Sequence, residues 1–451
     1  MSERRIGRRR FGKLAAAAGA GLAAPGLLAG RARAAGYEVE ATGEPFPLIG
    51  GLDQAMKDYM SARSIPNGAL AVVYQGRLVV ARGYTLIDGS NRPLIEPTAL
   101  FRLGSLSKAI TATATIAASE DDLLGAFDPL RDHVDLTPLP GDQADPLLND
   151  ITLWHLLHHE GGWTHVSDPR EVNADRKLYL EPLLLDREIR DAHSPALSLP
   201  ISQEDVVRFV SGRQRLAFAP GADFVYCNYG YLLLGMALDA VTPDGYAQWV
   251  RDRVFAPLGL DRPLEGQSVR DPQRPGEVEY FSQHTALSAV SDSTVEVPTP
   301  YGQINRENWL SSGSWVMSAI DYARFLSVYE DGGGVLSGSG LNFLRGPGHS
   351  GTYESDRYYG CGMYFDPQPG GGYDWWHTGS SAGTTTRFFR SHAGYTWVAL
   401  FNQSDDPSGL PYTGVFPMAL NEPADLLTQY GGWPSRDLFE EYFPPEPPEG
   451  R

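Results

Sequence analysis

Cysteine is nearly missing from this chain. Cys227 and Cys361 are the only two in 451 residues, too few to staple a disulfide-built scaffold. Lysine is scarce as well, and acids outnumber bases 55 to 37. A surface of that sign repels nucleic acid and anionic lipid, so no nucleic-acid partner is expected. Beyond the N-terminus no apolar run is long enough to span a membrane. The whole chain is 42% hydrophobic, enough for one large or two medium domains with a substantial core.

The N-terminus reverses the acidic balance. Arg8-Arg9-Arg10-Phe11-Gly12-Lys13 precedes an Ala/Gly/Leu stretch over 14–30 and then Ala32-Arg33-Ala34. This pattern predicts a twin-arginine export signal over 1–34, cleaved near Ala34, and a periplasmic or extracellular protein. A short membrane anchor is the competing reading, but the apolar part is short and rich in glycine and alanine. No stable membrane anchor is therefore expected. Residues 1–34 carry eight bases and one acid, so their removal takes the formal net charge from −18 to −25. Cargo of that route folds in a reducing compartment, which weighs against a Cys227–Cys361 disulfide, but their spacing says nothing about geometry and the pairing stays open.

Along the mature chain, 36–50 reads as an extended lead-in. Gly51 to Arg63 reads as an amphipathic helix with Leu52, Met56 and Tyr59 on one face. Gly68–Tyr74 and Leu78–Tyr84 flank a Gln75-Gly76 turn and predict a hairpin. Helical patterns dominate 105–294, and 163–200 reads as a long loop or insertion suited to a substrate lid. Strand patterns return at Tyr358–Phe365, Tyr373–His377, Thr384–Arg390 and Tyr395–Asn402. The Pro/Glu-rich tail over 434–451 is expected to be disordered. Strands at both ends with helices between them predict an α+β fold. Its antiparallel sheet is flanked by helices and built from both termini (about 50–104 and 295–420), and a mainly helical subdomain is inserted at about 105–294. The hydrolase domain as a whole spans 36–433.

Three short motifs carry chemistry. Ser105 and Lys108 lie three residues apart at the start of an Ala/Thr-rich helix, which places a nucleophile and a base one turn apart on one face. A desolvated lysine can give up its proton and accept that of a serine. Tyr226-Cys227-Asn228 follows a Pro-Gly turn. Its phenol is a candidate general base and its amide a candidate ligand for a substrate carbonyl. Trp375-Trp376-His377-Thr378-Gly379-Ser380-Ser381-Ala382-Gly383 is a strand running into a glycine-rich turn, where backbone N–H groups can face an oxyanion. Taken singly, each has a bland alternative in helix capping or core packing.

Together and in this order, S-x-x-K, Y-x-N and H-T-G resemble the serine beta-lactamase-related superfamily of class C beta-lactamases, D-alanyl-D-alanine carboxypeptidases, D-aminopeptidases and esterases. The stretches Ile151–Gly162, Val254–Leu260 and Gly313–Leu326 match in type and order, and the likeness covers roughly 50–420. The resemblance implies a beta-lactamase/transpeptidase-like fold. It implies Ser105 as the acyl-accepting nucleophile, Lys108 as its activating partner and Tyr226 as the proton shuttle to the leaving group and from the deacylating water. Asn228 then holds a substrate amide, Thr378, Gly379 and Ser380 line the substrate strand, and the N–H groups of Ser105 and Ser380 form the oxyanion hole. His377 stands where beta-lactamases of this type carry lysine; peptidases and esterases of the superfamily use His-x-Gly more often.

Two rival constellations are weaker. Gly379–Gly383 also fits G-x-S-x-G with Ser381 as nucleophile, but a strand pattern follows where that elbow requires a helix. His155, His158 and His159 on one helix offer zinc-ligand spacing without a convincing third ligand. The sequence therefore predicts an exported serine hydrolase of esterase or D-specific peptidase type, monomeric or weakly associated, with no cofactor or metal, acting on a small molecule or peptide. Acyl transfer to a non-water acceptor, a slowly deacylating penicillin sensor and a true beta-lactamase are the alternatives. Trp163, Tyr229, Trp315, Trp375 and Trp376 are candidate walls of an aromatic cleft.

Overall fold

The computed structural model describes residues 37–163, 182–271, 274–352, 356–409 and 418–444; the leader over 1–34 and residues 164–181 of the insertion lie outside them. The hairpin forms where the sequence places it. Strands β2 (Asn67–Tyr74) and β3 (Arg77–Ile87) are joined by Gln75 and Gly76, both at positive φ (50° and 78°). That backbone twist is the one that closes a two-residue hairpin. Strand β1 (Glu38–Thr42) pairs along β3, so the expected lead-in is an edge strand.

The chain returns to the same sheet from its other end. Strands β4 (Tyr358–Tyr359), β5 (Tyr364–Pro367), β6 (Tyr373–Ser381), β7 (Thr384–Arg390) and β8 (Tyr395–Phe401) complete eight antiparallel strands in the order β1-β3-β2-β8-β7-β6-β5-β4. The seam between the two halves is β2 against β8, continued by Asn67 and Asn402. Asn67 N–H donates to Asn402 Oδ1 at 2.8 Å, and Asn402 Nδ2 donates back to Asn67 Oδ1 at 3.0 Å.

Alternation along β2 gives each face of the sheet its own core. Leu70 and Val72 pack with helix α1 (Gly50–Arg63) and, from the far end of the chain, helix α4 (Asn421–Tyr430). Ala69 and Ala71 face the helical region and helix α2 (Ser107–Glu120). Every residue of α2 from Ser107 to Ala118 is buried. Small side chains permit that close packing, and the threonines satisfy their hydroxyls on the helix itself: Thr113 donates to Ala109 O and Thr115 to Thr111 O. Helix α3 (Asn228–Val241) runs beside α2 in the same core.

Two boundaries move. The first run of helices ends near Leu258, 264–298 carries short strands where helix was expected to continue to 294, and helices return at Ala319–Phe325 and Gly338–Arg345. Residues 434–444 are not a disordered tail: Leu438 and Phe439 are buried, and Leu438 N–H donates to Leu78 O at 2.8 Å. Apolar side chains at 438 and 439 outweigh the Pro/Glu composition around them. Both cysteines are buried and unbonded to each other. Among the described residues no helix is long and apolar enough to cross a membrane.

Candidate active site

Ser105 lies in a single turn, Gly104–Leu106, that feeds directly into α2. From Ala99 to Ala118 it is the one residue that is not buried. The sequence thus exposes one hydroxyl at the head of an otherwise enclosed helix. Lys108, fully buried, extends one turn along and places Nζ 3.0 Å from Ser105 Oγ. Two further oxygens hold that ammonium or amine: Asn228 Oδ1 at 2.7 Å and Ser312 O at 2.7 Å. Asn228 is the first residue of α3, and Ser312 lies in the wide turn Leu310–Ser314. Wide i→i+5 turns of this kind recur at functional sites because they turn a carbonyl out of the helical ladder.

This geometry defines the chemistry open to Lys108. Two carbonyl oxygens require two N–H donors, and the third direction points at Ser105. As an amine, Lys108 offers Ser105 its lone pair; as an ammonium, it offers a third N–H. Both protonation states therefore fit without rearrangement. Tyr226 completes the cluster, with Lys108 Nζ 5.0 Å from its ring centre and 5.6 Å from that of Tyr231. Asn228 differs from expectation: its carbonyl oxygen is committed to Lys108, so the group it can present to a substrate is its NH2.

Strand β6 forms the opposite wall, and two glycines allow the contact. A Cβ on Gly379 would lie 2.1 Å from Leu103 O and 2.2 Å from Thr386 Oγ1. Gly104, at φ +56°, brings its own α-carbon to within a side chain's width of Ser380 N: a Cβ there would sit 2.9 Å away. The turn bearing Ser105 and the strand bearing Ser380 are thus pressed together, which brings the two expected oxyanion N–H donors to the same cleft. Thr386 Oγ1 donates to Leu103 O at 2.6 Å, fixing the turn from β7. Thr378 and Ser380 have exposed side chains on the opposite face of β6 from His377 and Gly379.

His377 differs most from the sequence reading. Its ring is buried, with Nδ1 2.6 Å from Thr378 O and Nε2 3.1 Å from the Tyr359 hydroxyl oxygen Oη. A carbonyl demands a donor, so Nδ1 carries the proton and Nε2 accepts from the Tyr359 hydroxyl. Burial first, and then the charge of Lys108, push its pKa from 6.5 to about 3. His377 is therefore a neutral, fully bonded interior residue rather than a cation or a free base. Its ring lies tilted against that of Tyr226, centroids 6.0 Å apart.

The cleft is lined by Gly104, Ser105, Asn228, Ser312, Ser380 and Ser381, with Leu183, Ile304, Arg306 and Trp309 around them. Leu183 belongs to the described part of the 163–200 insertion. Of the expected aromatic walls, Trp163, Tyr229, Trp315 and Trp375 are core residues, Trp376 is half-buried, and Trp309 takes the cleft position instead. No periodic signal marked Trp309, Ser312 or Arg306; each acts through a loop whose path depends on tertiary packing. Ser381 ends a strand, and its Oγ accepts from buried Arg306 at 3.0 Å, so the elbow reading does not apply. The three histidines do not share a helix, which ends at Leu157. His158 bonds Trp154 O and Gly346 O, while His159 accepts from Cys227 N–H.

The family model described as Beta-lactamase matches residues 52–414. A curated D-aminopeptidase from Gluconobacter oxydans is 25% identical over 46% of this chain and 33% of its own length. The chain spans between a third and a half of the length of the first curated relatives that it matches. Among solved structures, the octameric penicillin-binding protein homologue from Pyrococcus abyssi superposes with a TM-score of 0.61 at 20% identity, covering 87% of this chain and 80% of that one. EstCE1, described as a hydrolase with promiscuous acyltransferase activity, gives 0.60 at 18% identity, covering 83% and 98%.

Proposed function

The chain belongs to the beta-lactamase family, a family of serine hydrolases, and on that premise we propose that it hydrolyses an ester or amide through an acyl-enzyme on Ser105. The observation that carries this reading is the three-way hold on Lys108: Asn228 Oδ1, Ser312 O and Ser105 Oγ within 3.0 Å of one nitrogen. Lys108 accepts the Ser105 proton as the Oγ–C bond forms. The oxyanion is held by the N–H groups of Ser105 and Ser380. The leaving group departs with a proton relayed through Tyr226 and Lys108, and water attacks the acyl-enzyme by the reverse route. Asn228 keeps Lys108 aimed in every step and offers its NH2 to the acyl side of the substrate. No metal or organic cofactor is required by this sequence of steps.

The neutral His377 argues for esterase or D-specific peptidase chemistry over beta-lactam hydrolysis, because this position supplies no permanent cation for a lactam carboxylate. Likeness to a D-aminopeptidase supports the peptidase class, and likeness to EstCE1, described as a hydrolase with promiscuous acyltransferase activity, supports acyl chemistry more broadly. Export by the twin-arginine route, cleavage near Ala34 and action as a monomer outside the cytoplasm complete the proposal, supported by the leader motif.

Intact-protein mass tests it. Wild type and Ser105→Ala are exposed to a p-nitrophenyl acyl ester, a D-alanyl peptide and benzylpenicillin. Turnover or an adduct on wild type alone supports Ser105 as the acylated residue; full activity in Ser105→Ala overturns the reading. A lasting adduct with penicillin alone would favour a sensor or penicillin-binding peptidase.

A further inference from the structure

His159 is a buried histidine that the mechanism leaves unused. It lies just beyond a short helix in the left-handed region, φ +57°, a conformation that costs energy for any residue with a Cβ. The surrounding chain holds it there. The carbonyls of His159, Glu160 and Gly162 accept from the N–H groups of Val225, Gly221 and Ala217, so 159–162 runs alongside the segment that leads into Y-x-N.

Its side chain adds a second grip. His159 Nδ1 accepts from Cys227 N–H at 3.1 Å, while its carbonyl accepts from Val225 N–H at 3.0 Å. One residue thus fixes the backbone on both sides of Tyr226. The imidazole also lies against the Tyr226 ring, centroids 4.3 Å apart, and within 5.1 Å of the rings of Tyr231 and Tyr359. Because Nδ1 accepts, the proton sits on Nε2, which is buried and has no hydrogen-bond partner among the described residues. Burying an unpaired donor is unfavourable. A leucine would pack the same space at lower cost but would leave Cys227 N–H unpaired and the loop loose. Enclosure also keeps the ring neutral, with its pKa well below the ordinary value, so the acceptor is not lost to protonation.

We propose that His159 is a positioning residue, which sets the Tyr226 side chain against Lys108 by gripping the backbone on either side of it. This assignment rests on the reading of Ser105, Lys108 and Tyr226 given above. It acts on the proton-transfer steps and leaves substrate binding alone, because His159 does not line the cleft.

Steady-state kinetics on a p-nitrophenyl acyl ester test it with three variants. His159→Gly keeps the left-handed backbone and removes the acceptor; it should lower kcat by about thirtyfold or more with KM within about threefold. His159→Asn tolerates the same φ and places Oδ1 where Nδ1 stood, so it should recover most of that loss. In a Tyr226→Phe background, His159→Gly should cost less than about threefold more, since both changes remove one function. Losses that multiply in the double variant, or an unaffected kcat in a folded glycine variant, overturn the assignment. If the glycine form fails to fold, a folded asparagine form that has lost kcat as heavily as Tyr226→Phe does so instead. Wild type with no turnover and no Ser105 adduct would remove the reading of the site itself and this assignment with it.

Discussion

Lys108 Nζ lies 3.0 Å from Ser105 Oγ and is aimed there by two oxygens that belong to other parts of the chain, Asn228 Oδ1 and Ser312 O. The pair is close in sequence, but its aim is set from 120 and 204 residues away. A lysine with four rotatable bonds has no preferred direction of its own. The fold supplies the direction.

That relationship predicts a graded series. Lys108→Ala should remove almost all turnover, because no other base among the described residues touches Ser105. Asn228→Ala leaves Lys108 in place but frees one of its three contacts; a hydrogen bond to a charged group is worth about 1.5–3 kcal/mol, so kcat should fall about ten- to a hundredfold. Equal activity in wild type and Asn228→Ala, measured with the ester substrate, would show that Asn228 does not aim the lysine.

Gly379→Ala should be disabling despite adding only a methyl group. That methyl would press into Leu103 O and Thr386 Oγ1, neither of which can yield without moving the Ser105 turn or β7. The expected outcome is a drop in thermal midpoint together with loss of acylation in the intact-mass assay. A folded, fully active alanine variant would mean that the turn and the strand are not in contact in solution.

His377 makes stability depend on acid. The folded protein keeps its ring unprotonated down to about pH 3, whereas the unfolded chain takes up a proton near 6.5. Between those values the unfolded state binds more protons, so stability is complete above pH 6.5 and declines as pH falls toward 3. His159 contributes in the same direction. Urea midpoints from pH 7.5 to 4.5 should fall, and His377→Gln should make that fall shallower; an unchanged slope would assign it to other groups.

Asp186 works in the opposite sense. It is buried at the start of a helix beside Leu183 of the cleft, and burial pushes its pKa from 3.8 up to about 7. Here the folded state keeps a proton that the unfolded chain has released, so stability is highest at or below about pH 4 and is lost as pH rises through 7. Each tenfold change in proton affinity is worth about 1.4 kcal/mol. Asp186→Asn, which removes the titration, should raise the thermal midpoint at pH 8 and change it little at pH 4. A variant no more stable than wild type at pH 8 would show that water reaches the carboxylate.

Much of this molecule was legible without coordinates. The hairpin at 67–87 declares itself by two apolar runs around Gln75-Gly76, and the strands at 373–401 by their β-branched and aromatic residues. The Ser105–Lys108 pair reads as chemistry because i, i+3 residues share a helical face whatever the rest of the fold does. The errors fall where the outcome is not local. The aromatic residues at 163, 229, 315 and 375 became core because the sheet is covered on both faces, and pattern alone cannot say which tryptophan meets solvent. Leu438 and Phe439 fold back because the edge of β3 offers them a surface, which a Pro/Glu composition does not reveal.

By itself, then, the sequence determined the short-range facts: the strands, the buried Ala/Thr helix, and a serine and a lysine one turn apart, since each follows from backbone periodicity and residue type. Tertiary structure alone decided which of these residues do which work. Whether His377 is a cation or a neutral interior residue depends on Tyr359 and on the depth of burial. Whether Asn228 holds substrate or lysine depends on where α3 packs against α2. Those are properties of distance and dielectric in the assembled fold, and no span of consecutive residues contains them.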